Sequence, residues 1–247
     1  SVPLLAVIAY FRKSLFIRID WRNWRVILIR AFAELASTML FLNALAQMPL
    51  ANVSAILQSL PLTVTMFAAM FFGEAVGWRR WSAILVGFIG VLIIIRPGSD
   101  GFNEYAVLAL IAVGFITLRD AITRRLDQSV PSLFVAFISA IPVFLFGGAM
   151  TLTTGWTPVS WSMGIIVTVA AISITCGYLF AVMAMRIGDI SFVAPFRYTG
   201  MIWAILFGFL LFGNLPDQMT ILGTCIVIGM GVYAFHRERV RQKASAT

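Results

Sequence analysis

Residues 43–92 read NALAQMPLANVSAILQSLPLTVTMFAAMFFGEAVGWRRWSAILVGFIGVL. AQMPLAN is turn-forming, an apolar block fills 51–72, GEAVGWRR interrupts it, and a second apolar block fills 81–95. A run of about 20 apolar residues is what an α-helix needs to cross about 30 Å of hydrocarbon. In lipid every backbone polar group must be satisfied within the segment, so such blocks are helices. The stretch therefore predicts two membrane-spanning helices joined by a tight connection.

The rest of the chain repeats this design. Apolar blocks at 26–46, 51–72, 81–95, 105–123, 131–152, 161–185, 191–212 and 219–235 follow a shorter one at the start. The connections carry turn chemistry: RPGSDGFNE, LDQSVP, TGWTPVS, RIGD and NLPDQ. SVPLLAVIAYF, residues 1–11, is half a span long and has neither the basic start nor the cleavage site of a signal peptide. It reads as the end of a helix that begins upstream, in a chain truncated at its N-terminus. Of 247 residues 61% are apolar and 11% charged, with mean hydropathy +0.97. Soluble domains run nearer about 45–50% apolar and about 25% charged. The expected class is an all-α membrane protein with eight full helices and a fragment, and no soluble domain. Cys176 and Cys225 lie inside apolar blocks and read as small packing residues, with no disulfide framework or metal motif.

Positive charge sets the orientation, because Lys and Arg concentrate in loops that stay cytoplasmic. Arg12, Lys13, Arg18, Arg22, Arg25, Arg79, Arg80, Arg124, Arg125, Arg186 and the tail HRERVRQK fall on one side, and only Arg96 on the other. The C-terminus is thus expected in the cytoplasm. The net charge of +8 is explained without nucleic acid, which would require a soluble basic face. The tail arginines favour anionic lipid head groups.

An internal repeat sharpens the topology. FAVMAMRIGDISFVAPFRYTGMIWAILFGFLLFGNLPDQMTILGTCIVIGMGVY, residues 180–233, aligns with the opening stretch at a shift of about 140 residues. Ala44 matches Ala184, Gly73-Glu74 matches Gly213-Asn214, and Gly90-Val91 matches Gly231-Val232 after one residue of slip. The turn after Phe72 is basic and the turn after Phe212 is not, so the halves run in opposite senses. Inverted repeats with a site at their interface are the architecture of many secondary transporters.

These two segments resemble the characteristic halves of the EamA branch of the drug/metabolite transporter superfamily. The resemblance covers essentially the whole chain, and AMRIGDISFVAPFRYTGMIWAILFGFLLFGNLPD is its more specific part. It implies ten helices in two inverted five-helix repeats, cytoplasmic termini, and movement of small organic metabolites by alternating access. On that reading residues 1–97 form a first repeat lacking its first helix and most of its second. Residues 104–236 form the second repeat and 237–247 a basic cytoplasmic tail.

Ionisable groups inside a bilayer cost about 2.5–3.5 kcal/mol or more, so each is a candidate for function. Arg197 shares a helical face with Gly200, Ala204 and Gly208, a stripe that admits a neighbouring helix and turns the arginine inward. It either contacts solute or pairs with Asp189 or a carbonyl. Arg30, Glu34 and Ser37 share a second face, where Arg30 and Glu34 either neutralise each other or leave Glu34 as a site for a coupling proton. Arg119 and Asp120 close the span before AITRRL and are expected at the inner mouth. Three arginines against two carboxylates favour an anionic or zwitterionic solute. Asn52, Gln58, Ser59, Tyr198 and Thr199 supply uncharged polar groups, with Gln58 and Tyr198 at equivalent repeat positions. Trp203 offers a ring to stack on, and Pro61 a kink for gating.

Enzymatic chemistry finds no footing. No HExxH or GxGD motif is present, and the one histidine, His236, follows the last span. The reading is a transporter of small organic solutes in a bacterial-type inner membrane, with no cofactor or metal and with a homodimer as one assembly. The alternative is a non-transporting assembly or scaffold subunit, and least of all an intramembrane enzyme.

Overall fold

A computed structural model describes residues 2–11, 19–73, 76–97, 103–155, 160–187 and 197–246. Among these the regular elements are α1 (Val2–Phe11), α2 (Trp21–Gln47), α3 (Leu50–Leu57), α4 (Leu60–Phe72), α5 (Trp78–Ile95), α6 (Tyr105–Thr123), α7 (Ser132–Thr154), α8 (Trp161–Ile187), α9 (Thr199–Phe212) and α10 (Gln218–Ala246). Counting Leu50–Phe72 as one, seven are long and apolar enough to cross a membrane, and Thr199–Phe212 is a shorter apolar helix. The fold is all-α.

Helix ends follow hydrogen bonds rather than hydropathy. α2 starts at Trp21, five residues before its apolar block, because Asp20 Oδ2 accepts the Arg22 N–H at 3.3 Å. Asn23 then exchanges bonds with Asp127, donating Nδ2 to Oδ2 at 2.7 Å and accepting the Asp127 N–H at 3.3 Å. α10 is capped by Asp217, whose Oδ1 accepts the Thr220 N–H at 2.9 Å. It runs unbroken to Ala246, so the basic tail continues the helix.

The expected single span at 51–72 is two helices. The Gln58 N–H is shared between Ser54 O and Ala55 O, each at 3.2 Å, and at Ser59 the ladder tightens to an i→i−3 bond, Ser59 N–H to Ile56 O at 3.1 Å. Pro61 has no N–H to continue the α pattern, and the Ser59 hydroxyl donates to Ile56 O at 2.7 Å. Pro61 thus sits in the first turn of α4.

The chain packs as two compact units, Ser1–Leu35 with Ile122–Gly188, and Ala36–Ala121 with Asp189–Thr247. Each draws on both halves of the sequence. In the first, α1 packs on α7 and α8 around Leu5, Ala136 and Val182. The start of α2 meets α7 through Ile27, Val130, Phe134 and Val135, with Trp24 edge-on to Phe134 at 5.9 Å. In the second, α3, α4, α5, α6, α9 and α10 enclose Val53, Ile56, Leu62, Ile84, Val91, Val113 and Val227. Here α5 and α10 touch backbone to backbone: a Cβ on Gly90 would lie 2.9 Å from Gly223 O, and one on Gly223 would lie 2.6 Å from Gly90 O. Cys176 and Cys225 are exposed, a correction to their reading as small packing residues. An apolar span has a lipid-facing side as well as a packed one, and hydropathy does not separate them.

Candidate functional site

Polar side chains within the spans gather in two places, one in each unit. In the first unit Arg30 and Glu34, one turn apart on α2, are 3% and 9% exposed. Their direct approach is loose, 3.8 Å. The Tyr178 hydroxyl of α8 closes the gap: it accepts from Arg30 Nη1 at 2.7 Å and donates to Glu34 Oε2 at 2.9 Å. Arg30 Nε donates to Thr123 Oγ1 at 2.9 Å, and its guanidinium lies 5.4 Å from the Tyr178 ring centre. Two buried charges are thereby held neutral as a pair, with hydrogen bonds to uncharged groups replacing water. Sequence reasoning missed Tyr178 and Thr123. The available signal was chemical, since a tyrosine inside a span needs a partner for its hydroxyl.

In the second unit Asp120 is the pivot. It is 4% exposed and bound by two arginines. Arg197 Nη2 donates to Oδ2 at 2.8 Å, while Arg119 places Nε and Nη2 each 3.0 Å from Oδ1. Asp120, not a carbonyl, is therefore the partner found for Arg197. The Arg197 and Arg119 side chains keep 27% and 17% of their surface open. One turn before Asp120, Thr117 Oγ1 lies 2.6 Å from Thr63 Oγ1. Thr63 donates to Leu60 O at 2.9 Å, so Thr117 is the donor of that pair.

The repeat is visible in the backbone of this unit. Tyr198, the residue before α9, stands at the position equivalent to Gln58, and the left-handed glycine ending α4, Gly73 at φ 66° and ψ 21°, recurs at Gly213 with φ 67° and ψ 11°. Both intervals are 140 residues, 198 − 58 and 213 − 73. Gln58 is 6% exposed and Ser59 1%. A Cβ on Gly200 would lie 4.0 Å from Gln58 Nε2, so that amide faces the start of α9. Tyr198 packs with Phe235 and Ile228, and its hydroxyl occupies the space where Gly231 lacks a Cβ. That hydroxyl is buried with no hydrogen-bond partner among the described residues.

The remaining candidates are scattered. Behind Arg197 the buried face is Met201, Ala204 and Gly208, with Gly200 exposed at its margin. Ser37 is 3% exposed and belongs to the second unit. Pro61 is buried, while Asn52 is half-buried and donates its N–H to Pro49 O at 3.0 Å. Thr199 is exposed, and Trp203 is 56% exposed, stacked on Phe207 at 5.9 Å. Asp189 lies outside the described residues. No group of three metal-ligating side chains occurs among the described residues.

Comparison with known proteins adds the family. The model of the EamA-like transporter family matches residues 1–96 and 104–234. Similar proteins include an S-adenosylmethionine uptake transporter of Rickettsia prowazekii, 26% identical over 77% of this chain and 65% of its own length. The chain thus spans just under two thirds of that relative. A riboflavin transporter of Vibrio cholerae is 29% identical over 92% of this chain and 77% of its own. A pseudopaline exporter of Pseudomonas aeruginosa is 24% identical over 82% and 72%. A solved crystal structure shares the fold, with a TM-score of 0.64 at 17% identity over 95% of this chain and 83% of that one. With both segments of the sequence matched, this chain belongs to the EamA-like transporter family.

Proposed function

We propose that the protein is a secondary transporter that moves a small organic solute bearing an anionic or zwitterionic group, by alternating access. The observation that carries this reading is the Asp120 cluster. A buried carboxylate is shared by two guanidinium groups that both stay partly open to the surroundings. A solute carboxylate or phosphate matches the guanidinium fork of Arg197, which keeps 27% of its side-chain surface open. The break between α3 and α4 at Gln58 and Ser59 supports movement, because a shortened ladder bends at lower cost than a continuous helix.

By the distribution of Lys and Arg, the ends bearing Arg124, Arg125 and the tail face the cytoplasm. Residues 1–97 and 104–236 serve as the two repeats, a division supported by the matched segments 1–96 and 104–234, and the tail at 237–247 lies against anionic lipid. The related proteins are named for both uptake and export, so direction is a property of the individual protein.

The test is solute transport by the protein in vesicles, read by metabolite profiling of the lumen. Arg197→Ala is expected to abolish transport while the protein remains in the membrane, and Arg197→Lys to retain part of it. Wild-type rates in Arg197→Ala, or a strict preference for cationic solutes, would sink the proposal.

A further inference from the structure

Among the described residues two buried carboxylates lie within the spans, Glu34 and Asp120, and they are held differently. Asp120 accepts directly from two guanidinium groups, so a proton arriving there meets two adjacent positive charges. Glu34 stands 3.8 Å from Arg30, and the shorter contacts run through the Tyr178 hydroxyl, at 2.7 Å to Arg30 Nη1 and 2.9 Å to Glu34 Oε2. Arg30 also has partners of its own. Its Nε donates to Thr123 Oγ1 at 2.9 Å, and its guanidinium lies 5.4 Å from the Tyr178 ring centre. Those contacts persist when Glu34 is neutral.

A neutral Glu34 keeps its own bond as well. With the proton on Oε1, the acid still accepts the Tyr178 O–H on Oε2. The surroundings reach the acid more readily than the base, since the Glu34 side chain keeps 12% of its surface open and the Arg30 side chain 3%. Competing titratable groups are few. α7, packed on the start of α2, has no charged or titratable residue, and α1 has only Tyr10, which is exposed. Besides Tyr178, α8 carries Cys176, which is exposed, and Arg186, about two turns further along. Asp127, tied to Asn23, and Arg22 and Arg25 of α2 itself stand about two turns or more before Glu34. Arg124 and Arg125 belong to the turn after Thr123.

We propose that Glu34 is the proton-binding site of the transporter, taking up one proton from the aqueous phase on one side and releasing it on the other, so that solute movement draws on a pH gradient. The proposal rests on the transport reading above and names the coupling ion for it. The step balances as one O–H bond formed at the Glu34 carboxylate and later broken, with no redox change and one positive charge gained while the proton is bound. Tyr178 is a positioning residue, because its hydroxyl holds Glu34 Oε2 in both states. Two carboxylates thus take two roles from their surroundings: Asp120 is a fixed counter-charge, and Glu34 exchanges a proton.

The probe is the proton itself. With the full chain in lipid nanodiscs, infrared difference spectra are recorded as pH is stepped from about 9 to about 5, a range in which buried carboxyls titrate. The C=O stretching band of a buried carboxylic acid should grow in the wild type and be lost in Glu34→Gln. Tyr178→Phe should keep the band and move it to higher frequency, because the carbonyl loses a hydrogen bond. That variant retains the ring and tests the assignment even where Glu34→Gln folds poorly. In vesicles, a gradient of about one pH unit should shift solute accumulation by up to about tenfold for one coupled proton, a dependence that Glu34→Gln should lose. No such band in the wild type, or a band unchanged in both variants, overturns the proposal. So does wild-type accumulation indifferent to the gradient, or a gradient dependence that persists in Glu34→Gln. Vesicles that transport nothing in any gradient would refute the transport reading, while the infrared band still decides the proton site.

Discussion

Asp120 holds Arg197 on one carboxylate oxygen at 2.8 Å and Arg119 on the other at 3.0 Å, joining residues 77 positions apart in sequence. Without that carboxylate, two guanidinium groups would repel each other inside a span. The arrangement ties the residue before Tyr198 to the C-terminal end of α6.

Removal of one partner from a buried pair leaves an uncompensated charge, at a cost of about 3–5 kcal/mol. Asp120→Ala is therefore expected to lower thermal stability more than Arg197→Ala, whose loss leaves Asp120 still paired with Arg119. A double-mutant cycle on Asp120→Asn and Arg197→Gln should give a coupling of about 1–3 kcal/mol. Additive effects would show that the pair does not hold in the membrane.

Tyr178→Phe removes the hydroxyl that links Arg30 to Glu34 and leaves the ring in place. Each charged group loses a hydrogen bond, so destabilisation of about 1–3 kcal/mol is expected. Arg30→Gln combined with Glu34→Gln should make the same Tyr178→Phe change cost less. Thermal melting of the four proteins in one detergent measures the difference.

Two glycines on α10 give opposite expectations. A Cβ on Gly231 would coincide with the Tyr198 hydroxyl and lie 2.6 Å from Tyr198 Cζ, whereas one on Gly229 meets nothing within 4 Å. Gly231→Ala should destabilise by about 1–3 kcal/mol through overpacking. Gly229→Ala should be neutral or stabilise by up to about 1 kcal/mol, since alanine is the better helix former. Tyr198→Leu should recover part of the Gly231→Ala loss, and melting temperatures of the single and double variants check this.

Arg96 and Asp217 form an ion pair joining the end of α5 to the start of α10. Arg96 has φ 52°, a left-handed conformation that costs a non-glycine residue about 1–2 kcal/mol. Partial burial raises the Asp217 carboxyl, but hydrogen bonds from Thr220 and Arg96 and the Arg96 charge outweigh it, so it lies below the ordinary aspartate value. A depressed carboxyl contributes stability above its unfolded pKa and loses it as pH falls through the folded one. The wild type should therefore soften on acidification below about pH 4. Asp217→Asn should lose that acid-dependent part and melt about 1–3 °C lower at neutral pH, as suits an exposed pair. Identical pH–stability curves for both proteins would contradict this.

The spans were legible because apolar length is a local property: the block at 105–123 and α6 coincide. So was the repeat, since Gly73 and Gly213 mark turns that require a left-handed residue. The break at Gln58 was half legible, announced by Pro61 but displaced to where the ladder tightens. The partners of the charges were not legible. Nothing in LRD or APFRYTG says that Asp120 and Arg197 meet, and nothing in TCGYLF says that Tyr178 lies between Arg30 and Glu34.

The sequence by itself determined that this is an all-helical membrane protein with two related halves, because hydrocarbon thickness and backbone satisfaction act on each segment separately. Only the tertiary structure decided that Tyr178 lies between Arg30 and Glu34, that Arg197 meets Asp120, and that Cys176, Cys225 and Trp203 face outward. Pairing across tens of residues depends on which helix faces meet. That is set by packing at contacts such as Gly90 on Gly223, and no local pattern of residues encodes it.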